Sequence, residues 1–191
     1  MKEFTNIEYL SQGSEKQKKA FRAINNLKIM EILKEYNPIL TGTIPIDIDI
    51  ENSDLDIICE AYNPQKFEQI LIKEFGKFSE FTVVTRLVDG IASTVCSFEY
   101  DGFIFEVFAQ PIKSTHQNAY KHMVVESRIM KIIGQRSKQE IRALKRNGYK
   151  TEPAFGVYLR ISENPYDFLK AIYEWNDNEL KEYLKSVNVI V

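Results

Sequence analysis

Apolar residues recur at helical intervals near the start of the chain, after a pattern that marks a helix start. Ser14, with Gln17 three residues later, forms a capping-box pattern. The apolar residues that follow, mostly at intervals of three and four, are Ala20, Phe21, Ile24, Leu27 and Leu33. The sequence YNP ends the pattern, because the residue before a proline is disfavoured in a helix. We predict a helix over residues 15–36 and a strand that begins at Ile39.

A second helix and a set of strands follow. The segment NPQKFEQILIKEFGK has helical periodicity and predicts a helix that ends near Gly76. Residues 81–111 are instead rich in β-branched and aromatic residues, and they contain the dipeptides Asp89-Gly90 and Asp101-Gly102. Asp-Gly favours the type I′ turn of a two-residue hairpin, because both turn positions need positive φ. We predict three consecutive antiparallel strands.

The Asp101-Gly102 turn also determines which residues face each other across the last two strands. The predicted pairs are Tyr100 with Phe103, Phe98 with Phe105, Cys96 with Val107, and Ser97 with Glu106. The first three pairs form one apolar face of the sheet. Glu106 is therefore predicted to be a mid-strand carboxylate on the opposite face.

The rest of the chain, from Ser114 onward, has helical periodicity. STHQ and SKQE resemble capping boxes, and TEP predicts a helix with proline in its first turn. NPYDFLKAIYEW and DNELKEYLKSV predict two further short helices. The predicted fold is α+β, a mixed β-sheet flanked by helices. We expect a core over residues 1–112 and a C-terminal helical portion over residues 113–191, packed on it as one structural unit.

Composition and charge indicate an ordinary globular protein. The 191 residues are 44% hydrophobic and 27% charged, and the net charge of −2 gives no global basic field for nucleic acid. No apolar run approaches the length of a membrane span, and the first residues lack an apolar signal core. We therefore expect a cytoplasmic protein with no membrane partner. Cys59 and Cys96 lie in apolar strand-like runs and are predicted to be buried, reduced thiols.

Two Asp-X-Asp pairs stand close together in ILTGTIPIDIDIENSDLDIIC, residues 39–59. The first pair is Asp47 and Asp49, and isoleucines alternate with these acids over residues 44–51. Such alternation is typical of an amphipathic strand with one face in water, and Pro45 favours an edge position. We predict that this pair faces solvent, or at most lies at the rim of a cleft.

The second pair, Asp54 and Asp56, leads into a run that is apolar on both faces. This pattern is typical of an internal strand with charged residues at its entry. Carboxylates held close together repel each other and need a cation or a shared proton, and hard oxygen ligands suit Mg²⁺. The alternative is structural: NSD is a good turn sequence, so the acids could simply cap a turn.

The order of these features resembles the DNA-polymerase-β-like nucleotidyltransferase superfamily. That pattern has a glycine motif, an Asp-X-Asp pair about ten residues later, and a third carboxylate on a later strand. LTGT, DLDI and FEV occupy those places here. More closely, the stretches NPIL, GTIPI, SDLDIIC, HQNAYKHM and KTEPAF resemble the bacterial family called domain of unknown function 4269.

The resemblance implies a metal-dependent nucleotidyltransferase that moves a nucleotide from a nucleoside triphosphate, with ATP as the first candidate, to an unidentified acceptor. Asp54 and Asp56 would coordinate Mg²⁺ or Mn²⁺ bound to the triphosphate. Glu106 would join a second metal and help to activate the acceptor hydroxyl. Three further residues would bind the nucleotide: Gly42, Thr43 and Ser53.

Two departures from the superfamily pattern leave other functions open. Thr43 stands where glycine or serine is usual, and Pro45 lies where many members begin a short phosphate-facing helix. A catalytically inactive module that keeps the fold to bind a nucleotide, RNA or a protein is one alternative. An antitoxin-like interaction protein that docks through its C-terminal helices is another.

Basic residues outside these motifs have two interpretations each. Lys150 precedes a predicted helix start at Thr151, so it could bind a triphosphate, because helix N-termini favour anions. A basic region consists of Lys131, Arg136, Lys138, Arg142, Lys145 and Arg146. It is either a solvated helix surface or a site for a polyanionic acceptor such as RNA.

Overall fold

The chain folds into two compact groups of elements. The structure is a computed structural model that describes residues 4–189. One group, the sheet unit, comprises the described residues up to Pro45 together with Ser53–Tyr120. The other, the helical unit, comprises Ile46–Asn52 and the described residues from Lys121 onward.

The sheet unit contains one mixed five-stranded sheet. Its strands are β1 (Ile39–Thr41), β2 (Leu55–Glu60), β3 (Ser79–Val88), β4 (Ile91–Tyr100) and β5 (Phe103–Gln110). The order across the sheet is β1-β2-β5-β4-β3. β2 and β5 are parallel, and the other neighbouring pairs are antiparallel. The predicted α+β class with a mixed sheet is confirmed.

The two Asp-Gly hairpins form as predicted. Asp89 and Gly90 have φ of 51° and 77°, and Asp101 and Gly102 have φ of 49° and 76°. These positive values are the ones that a type I′ turn needs. All four predicted pairs across β4 and β5 are confirmed, including Ser97 opposite Glu106.

The helices of the sheet unit are α1 (Glu15–Leu27), α2 (Ile29–Ile32) and α3 (Pro64–Phe75), with 3₁₀ helices at Glu8–Gln12, Lys34–Tyr36 and Ser114–His116. The capping box of Ser14 and Gln17 is present. The prediction of one continuous helix over residues 15–36 is wrong, because Lys28 has a φ of 56° and breaks it. The chain changes direction there, and Ile29 and Leu33 are both fully buried after the break.

The core of the sheet unit lies on the face of the sheet that α1 and α3 cover. The apolar side of α3, formed by Phe67, Leu71 and Phe75, belongs to the same buried cluster as Ile24 of α1. A stack of aromatic rings links this side to the sheet, with centroid distances of 5.0 Å from Phe75 to Phe98 and 5.3 Å from Phe98 to Phe105. The opposite face, called the polar face below, carries Asp56 and Glu106 next to the buried side chains of Ile39 and Ile58, because residues alternate along a strand.

Cys59 and Cys96 confirm their predicted state. Both are buried free thiols in strands of the sheet unit. Burial raises the pKa of the Cys59 thiol, and it raises the pKa of the Cys96 thiol to about 12. Neither thiol is therefore ionised near neutral pH, so neither is a reactive nucleophile.

The remaining helices are α4 (Asn118–Ile133), α5 (Gln135–Arg146), α6 (Thr151–Leu159), α7 (Pro165–Ala171) and α8 (Asp177–Ser186), with a 3₁₀ helix at Ile172–Glu174. The TEP start of α6 and the two short C-terminal helices, α7 and α8, are confirmed. None of the helices within residues 4–189 is long and apolar enough to cross a bilayer.

The two other predicted capping boxes in this part of the chain are wrong. STHQ forms a 3₁₀ turn before α4, and the Ser114 hydroxyl donates to the carbonyl of Asn37 at 2.6 Å. SKQE lies inside α5, where the Ser137 hydroxyl donates back to the Gly134 carbonyl at 2.6 Å. In both cases the serine hydroxyl bonds a backbone carbonyl, so it does not cap the first amides of a helix.

The predicted amphipathic strand over residues 44–51 is also wrong. Residues 44–47 form a turn, Asp47 has a φ of 58°, and residues 42–54, all of them described, contain no strand. Within the helical unit, Asp47 accepts hydrogen bonds from Lys138 at 2.8 Å and from Arg142 at 2.7 Å. The Arg142 guanidinium also donates to the carbonyls of Asp47 and Asp49, at 2.7 and 3.1 Å. These side-chain contacts take the place of the backbone hydrogen bonds that a neighbouring strand would have made.

The same contacts give three residues of the basic region acidic partners. Arg146 pairs with Glu51 at 2.9 Å, which completes a row of ion pairs along α5. The side chains of Lys138 and Arg142 are 22% and 24% exposed, whereas that of Arg146 is 52% exposed and stays largely in solvent. Binding of a polyanion such as RNA by the basic region stays a prediction.

Candidate metal centre

Three carboxylates converge on the polar face of the sheet unit. One oxygen each from Asp54, Asp56 and Glu106 lies within 4.8 Å of the others. Asp54 directly precedes β2, and Asp56 lies within it, opposite Glu106 in the parallel register of β2 and β5. No other group of three such ligand residues converges anywhere in residues 4–189.

Buried neighbours fix the direction in which these acids point. Leu55 and Ile57 flank Asp56, Phe105 and Val107 flank Glu106, and all four are fully buried. Because side chains alternate across a strand, burial of these neighbours turns the carboxylates to the opposite face. Asp54 and Asp56 are half-buried there, whereas Glu106 as a whole residue is exposed.

The carboxylates of this triad repel one another. Two unit charges at 4.8 Å, the upper limit of these separations, repel by about 3.5 kcal/mol at an effective dielectric of 20. Partial burial of its carboxyl raises the pKa of Glu106, and the charge of Asp54 raises that pKa further. A divalent cation would relieve this repulsion. The donor set is made of oxygens alone, which suits Mg²⁺ or Mn²⁺.

Gly42 lies against the triad at the end of β1. Thr41, the last residue of β1, is paired with Asp56 in β2, so Gly42 follows directly beside that aspartate. Gly42 has a φ of +80°, and a Cβ atom there would lie 2.1 Å from Oδ2 of Asp56. Glycine is thus required twice, for its backbone conformation and for the close approach of the carboxylate.

Two further residues predicted to bind the nucleotide are in contact with each other. The Thr43 hydroxyl donates to the Ser53 hydroxyl at 3.3 Å, which joins the turn after β1 to the residue before Asp54. Gly42, Thr43 and Ser53 therefore belong to the same small region as the acids. Pro45 begins no helix here, and it lies within the turn of residues 44–47.

Lys150 is the predicted site residue that belongs to the helical unit. It is exposed at the N-cap of α6, and its side chain makes no capping hydrogen bond. Its role in binding a nucleotide stays a prediction.

Gln17 is a residue of this region that the sequence patterns assigned only to a helix cap. Its side-chain amide donates to the carbonyls of Ile44 at 2.8 Å and Pro45 at 3.1 Å, directly after the Gly42-Thr43 turn. The capping box identified Gln17 as a helix-start residue. Nothing in the local sequence indicates a partner 27 residues later.

Comparison with known proteins identifies a family and a set of similar folds. Residues 22–172 match the profile of the family described as domain of unknown function (DUF4269). A search among curated proteins found no match.

Among solved structures, similar folds include three of Cid1. The first is the Cid1 poly(U) polymerase bound to MgGTP. The second comes from work on the structural plasticity of Cid1 as a basis for its RNA terminal uridylyl transferase activity, and the third is Cid1 in complex with its short product ApU. For each, the TM-score is 0.52 at 13% identity, over 85% of this chain. The matched part is 53%, 52% and 52% of the respective Cid1 chain, so this chain spans about half of that length. At this identity the likeness concerns the fold.

Proposed function

The chain belongs to the DUF4269 family, and we propose that it is a metal-dependent nucleotidyltransferase, which moves a nucleotide from a nucleoside triphosphate to an acceptor hydroxyl. The observation that carries this proposal is the convergence of Asp54, Asp56 and Glu106 beside Gly42. A likeness in fold to Cid1 poly(U) polymerase supports it, since that enzyme acts on nucleotides.

In the proposed reaction, Asp54 and Asp56 hold Mg²⁺ or Mn²⁺ together with the triphosphate. When bound, such an ion offsets the negative charge that develops on the phosphoryl oxygens and the leaving pyrophosphate. Glu106 would join a second metal ion and help to deprotonate the acceptor hydroxyl, as the new phosphorus–oxygen bond forms and the bond to the leaving pyrophosphate breaks.

The turn after β1 and the residue before Asp54 would hold the phosphates. The missing side chain of Gly42 lets the Asp56 carboxylate lie against the turn, so a phosphate on a metal held by Asp56 would be near the turn backbone. The hydroxyls of Thr43 and Ser53, 3.3 Å apart, can exchange their mutual hydrogen bond for bonds to phosphate oxygens. The triphosphate would thus be held by the turn on one side and by the metal on the other.

The acceptor is the open part of this proposal. The end of an RNA strand is the first acceptor to test, because one of the similar structures is Cid1 with its product ApU. Lys138, Arg142 and Arg146 of α5 already pair with acids, so these side chains are less available to bind RNA.

Titration with Mn²⁺ and each of the four ribonucleoside triphosphates tests the proposal, on the natural chain and on the variants Asp54→Asn and Asp56→Asn. We expect at least one triphosphate to bind in the presence of metal. Each variant should weaken that binding about 10-fold to 100-fold, the usual cost of damage to a metal site. Asp101→Asn, in the exposed second hairpin turn, is the matched control and should bind normally. Equal binding of the triphosphate by the natural chain and all three variants would contradict the proposal.

A binding module without catalysis is the second candidate function. The Thr43–Ser53 hydrogen bond favours it, because this hydroxyl of the turn already has a partner. Incubation with labelled triphosphates, Mn²⁺ and short RNA separates the two candidates. Metal-dependent transfer of label that is lost in Asp54→Asn would exclude the binding module, whereas tight binding without any transfer would support it.

A further inference from the structure

Gln17 uses every polar atom of its side chain within the sheet unit. Its Oε1 accepts the backbone N–H of Ser14 at 2.9 Å, which is half of the capping box of α1. Its Nε2 donates to the carbonyls of Ile44 and Pro45, at 2.8 and 3.1 Å. The residue is 6% exposed, so these bonds form out of competition with water.

The two carbonyls lie in a part of the chain without the regular backbone hydrogen bonds of a helix or strand. Residues 42–47 contain no strand or helix, and Ile44 is only 1% exposed. A buried carbonyl that loses its partner costs about 1–3 kcal/mol, so the loss of two adjacent ones would make this turn move. Because Gly42 packs against the Asp56 carboxylate, such a movement would change the position of the turn relative to that carboxylate.

The position of the Gln17 amide is itself confined. A Cβ atom at Gly13 would lie 1.9 Å from Oε1 of Gln17, so Gly13 leaves only enough room for the observed side chain. The start of α1 holds the amide on one side, and the turn holds it on the other. Gln17 therefore connects the start of the first helix to the turn through hydrogen bonds at both ends of its amide group.

We propose that Gln17 is a positioning residue, which fixes the Gly42-Thr43 turn at the distance from Asp56 that a metal-bound triphosphate needs. This inference rests on the proposed function, and it adds a residue outside the triad and its phosphate turn. Gln17 acts through the backbone of Ile44 and Pro45 and need not touch the substrate.

Gln117 provides a matched control, because it is another buried glutamine with the same kind of bonds. It is 3% exposed, and its Nε2 donates to the carbonyls of Cys59 at 2.8 Å and Ile112 at 3.0 Å. Gln17→Met and Gln117→Met each remove one amide that bridges two carbonyls, and only Gln17→Met touches the turn. Gln17→Met should lower the melting temperature more, because Oε1 of Gln17 also caps α1 whereas the buried Oε1 of Gln117 has no hydrogen-bond partner among the described residues.

The test measures two quantities on each variant, the Kd for the Mn²⁺ complex of ATP and the hydrogen exchange of the amides in residues 42–46. We expect Gln17→Met to raise the Kd about 10-fold to 100-fold and to speed exchange in the turn. Gln117→Met should leave both quantities unchanged, even where its melting temperature also falls. Normal exchange in the turn of Gln17→Met, or an unchanged Kd despite faster exchange, would overturn the inference.

Gly13→Ala serves as a milder second variant if Gln17→Met does not fold. The added methyl group displaces the Gln17 amide but leaves its chemistry intact, so the same two changes are expected in the same direction. If the natural chain binds no metal complex of any of the four ribonucleoside triphosphates, the proposed function fails. The exchange rates in the turn then still decide whether Gln17 holds it: faster exchange supports that role and normal exchange contradicts it.

Discussion

At the scale of single residues, Gly42 is constrained in two ways. Its φ of +80° and its contact with Asp56 both exclude a side chain. Gly90 offers a matched comparison, since it has a φ of +77° but nothing within 4 Å of a built Cβ. Comparison of substitutions at these two glycines therefore distinguishes backbone strain, which both share, from displacement of the Asp56 carboxylate, which only Gly42 would cause.

We predict that Gly42→Ala and Gly90→Ala both lower the free energy of unfolding, by about 1–2 kcal/mol, through the strain of a left-handed backbone. Only Gly42→Ala should also weaken Mn²⁺ binding, about 10-fold or more, because its methyl group displaces the Asp56 carboxylate. Thermal unfolding and a Mn²⁺ titration measure the two effects. Equal Mn²⁺ affinity in both variants would contradict the geometry described for Gly42.

Glu126 is a second residue whose environment leads to a specific expectation. It is 3% exposed in the helical unit, and its Oε1 has no hydrogen-bond partner. Burial raises the pKa of Glu126 well above its ordinary value of 4.5, repulsion from Glu152 raises that pKa further, and the charge of Lys145 opposes the rise. The folded protein therefore holds a proton that the unfolded chain releases above that ordinary value.

The sign of the pH effect follows from this linkage. Because the folded-state pKa of Glu126 is raised, its contribution to stability is lost as the pH rises from the ordinary value through the raised one. Glu126→Gln stays neutral at every pH, so it should gain stability relative to the natural chain between about pH 5 and about pH 8. Urea unfolding at both values measures this. Glu182→Gln, exposed on α8, should show no such gain, and the same lack of gain in Glu126→Gln would refute the buried-proton interpretation.

At the scale of elements, local chemistry made the β-hairpins predictable. Asp-Gly at both turns specifies a backbone conformation with positive φ. The second turn then sets the register of β4 and β5, which places Glu106 opposite Ser97. The pairing of Asp56 with Glu106 joins strands 50 residues apart in the chain, and periodicity carries no information on it. That part of the candidate site was predicted only through a family resemblance.

Segment 44–51 shows why the same periodic reasoning fails elsewhere. Alternation of isoleucine with acids predicts a strand whether or not a strand partner exists. Here the acids bind cations of α5, and Arg142 lies 95 residues after Asp47. The basic residues at 138, 142 and 146 recur every four positions, which places them on one helix face. That periodicity was visible in the sequence, but it did not identify the acids that they bind.

Arg142 gives a prediction about this element. It donates to the carboxylate of Asp47 and to two backbone carbonyls, and its side chain is 24% exposed. We expect Arg142→Met to lower the free energy of unfolding by about 2 kcal/mol, between the values for exposed and buried pairs. Arg136→Met, which removes an i,i+4 pair with Glu140 from an 87% exposed side chain, should cost less than about 0.5 kcal/mol. Urea unfolding decides the matter, and equal costs would contradict an anchoring role for Arg142.

At the scale of the whole molecule, the chain crosses between the two units more than once. It passes from the sheet unit into the helical unit at Ile46 and returns at Ser53. The division after residue 112, into a core and a C-terminal helical portion packed on it, stays a prediction. The segment between the Gly42-Thr43 turn and Asp54 therefore belongs to both. Contacts over this range depend on pairs that are remote in sequence, so a single sequence did not reveal them.

The central claim is that Asp54, Asp56 and Glu106 form one metal site beside the Gly42-Thr43 turn. The most direct test is a crystal structure of the natural chain with Mn²⁺ and a non-hydrolysable ATP analogue, read by the anomalous signal of manganese. We predict manganese bound among Asp54, Asp56 and Glu106, with phosphate oxygens against the backbone of Gly42 and Thr43. A manganese signal elsewhere, or a nucleotide bound away from these residues, would contradict the claim.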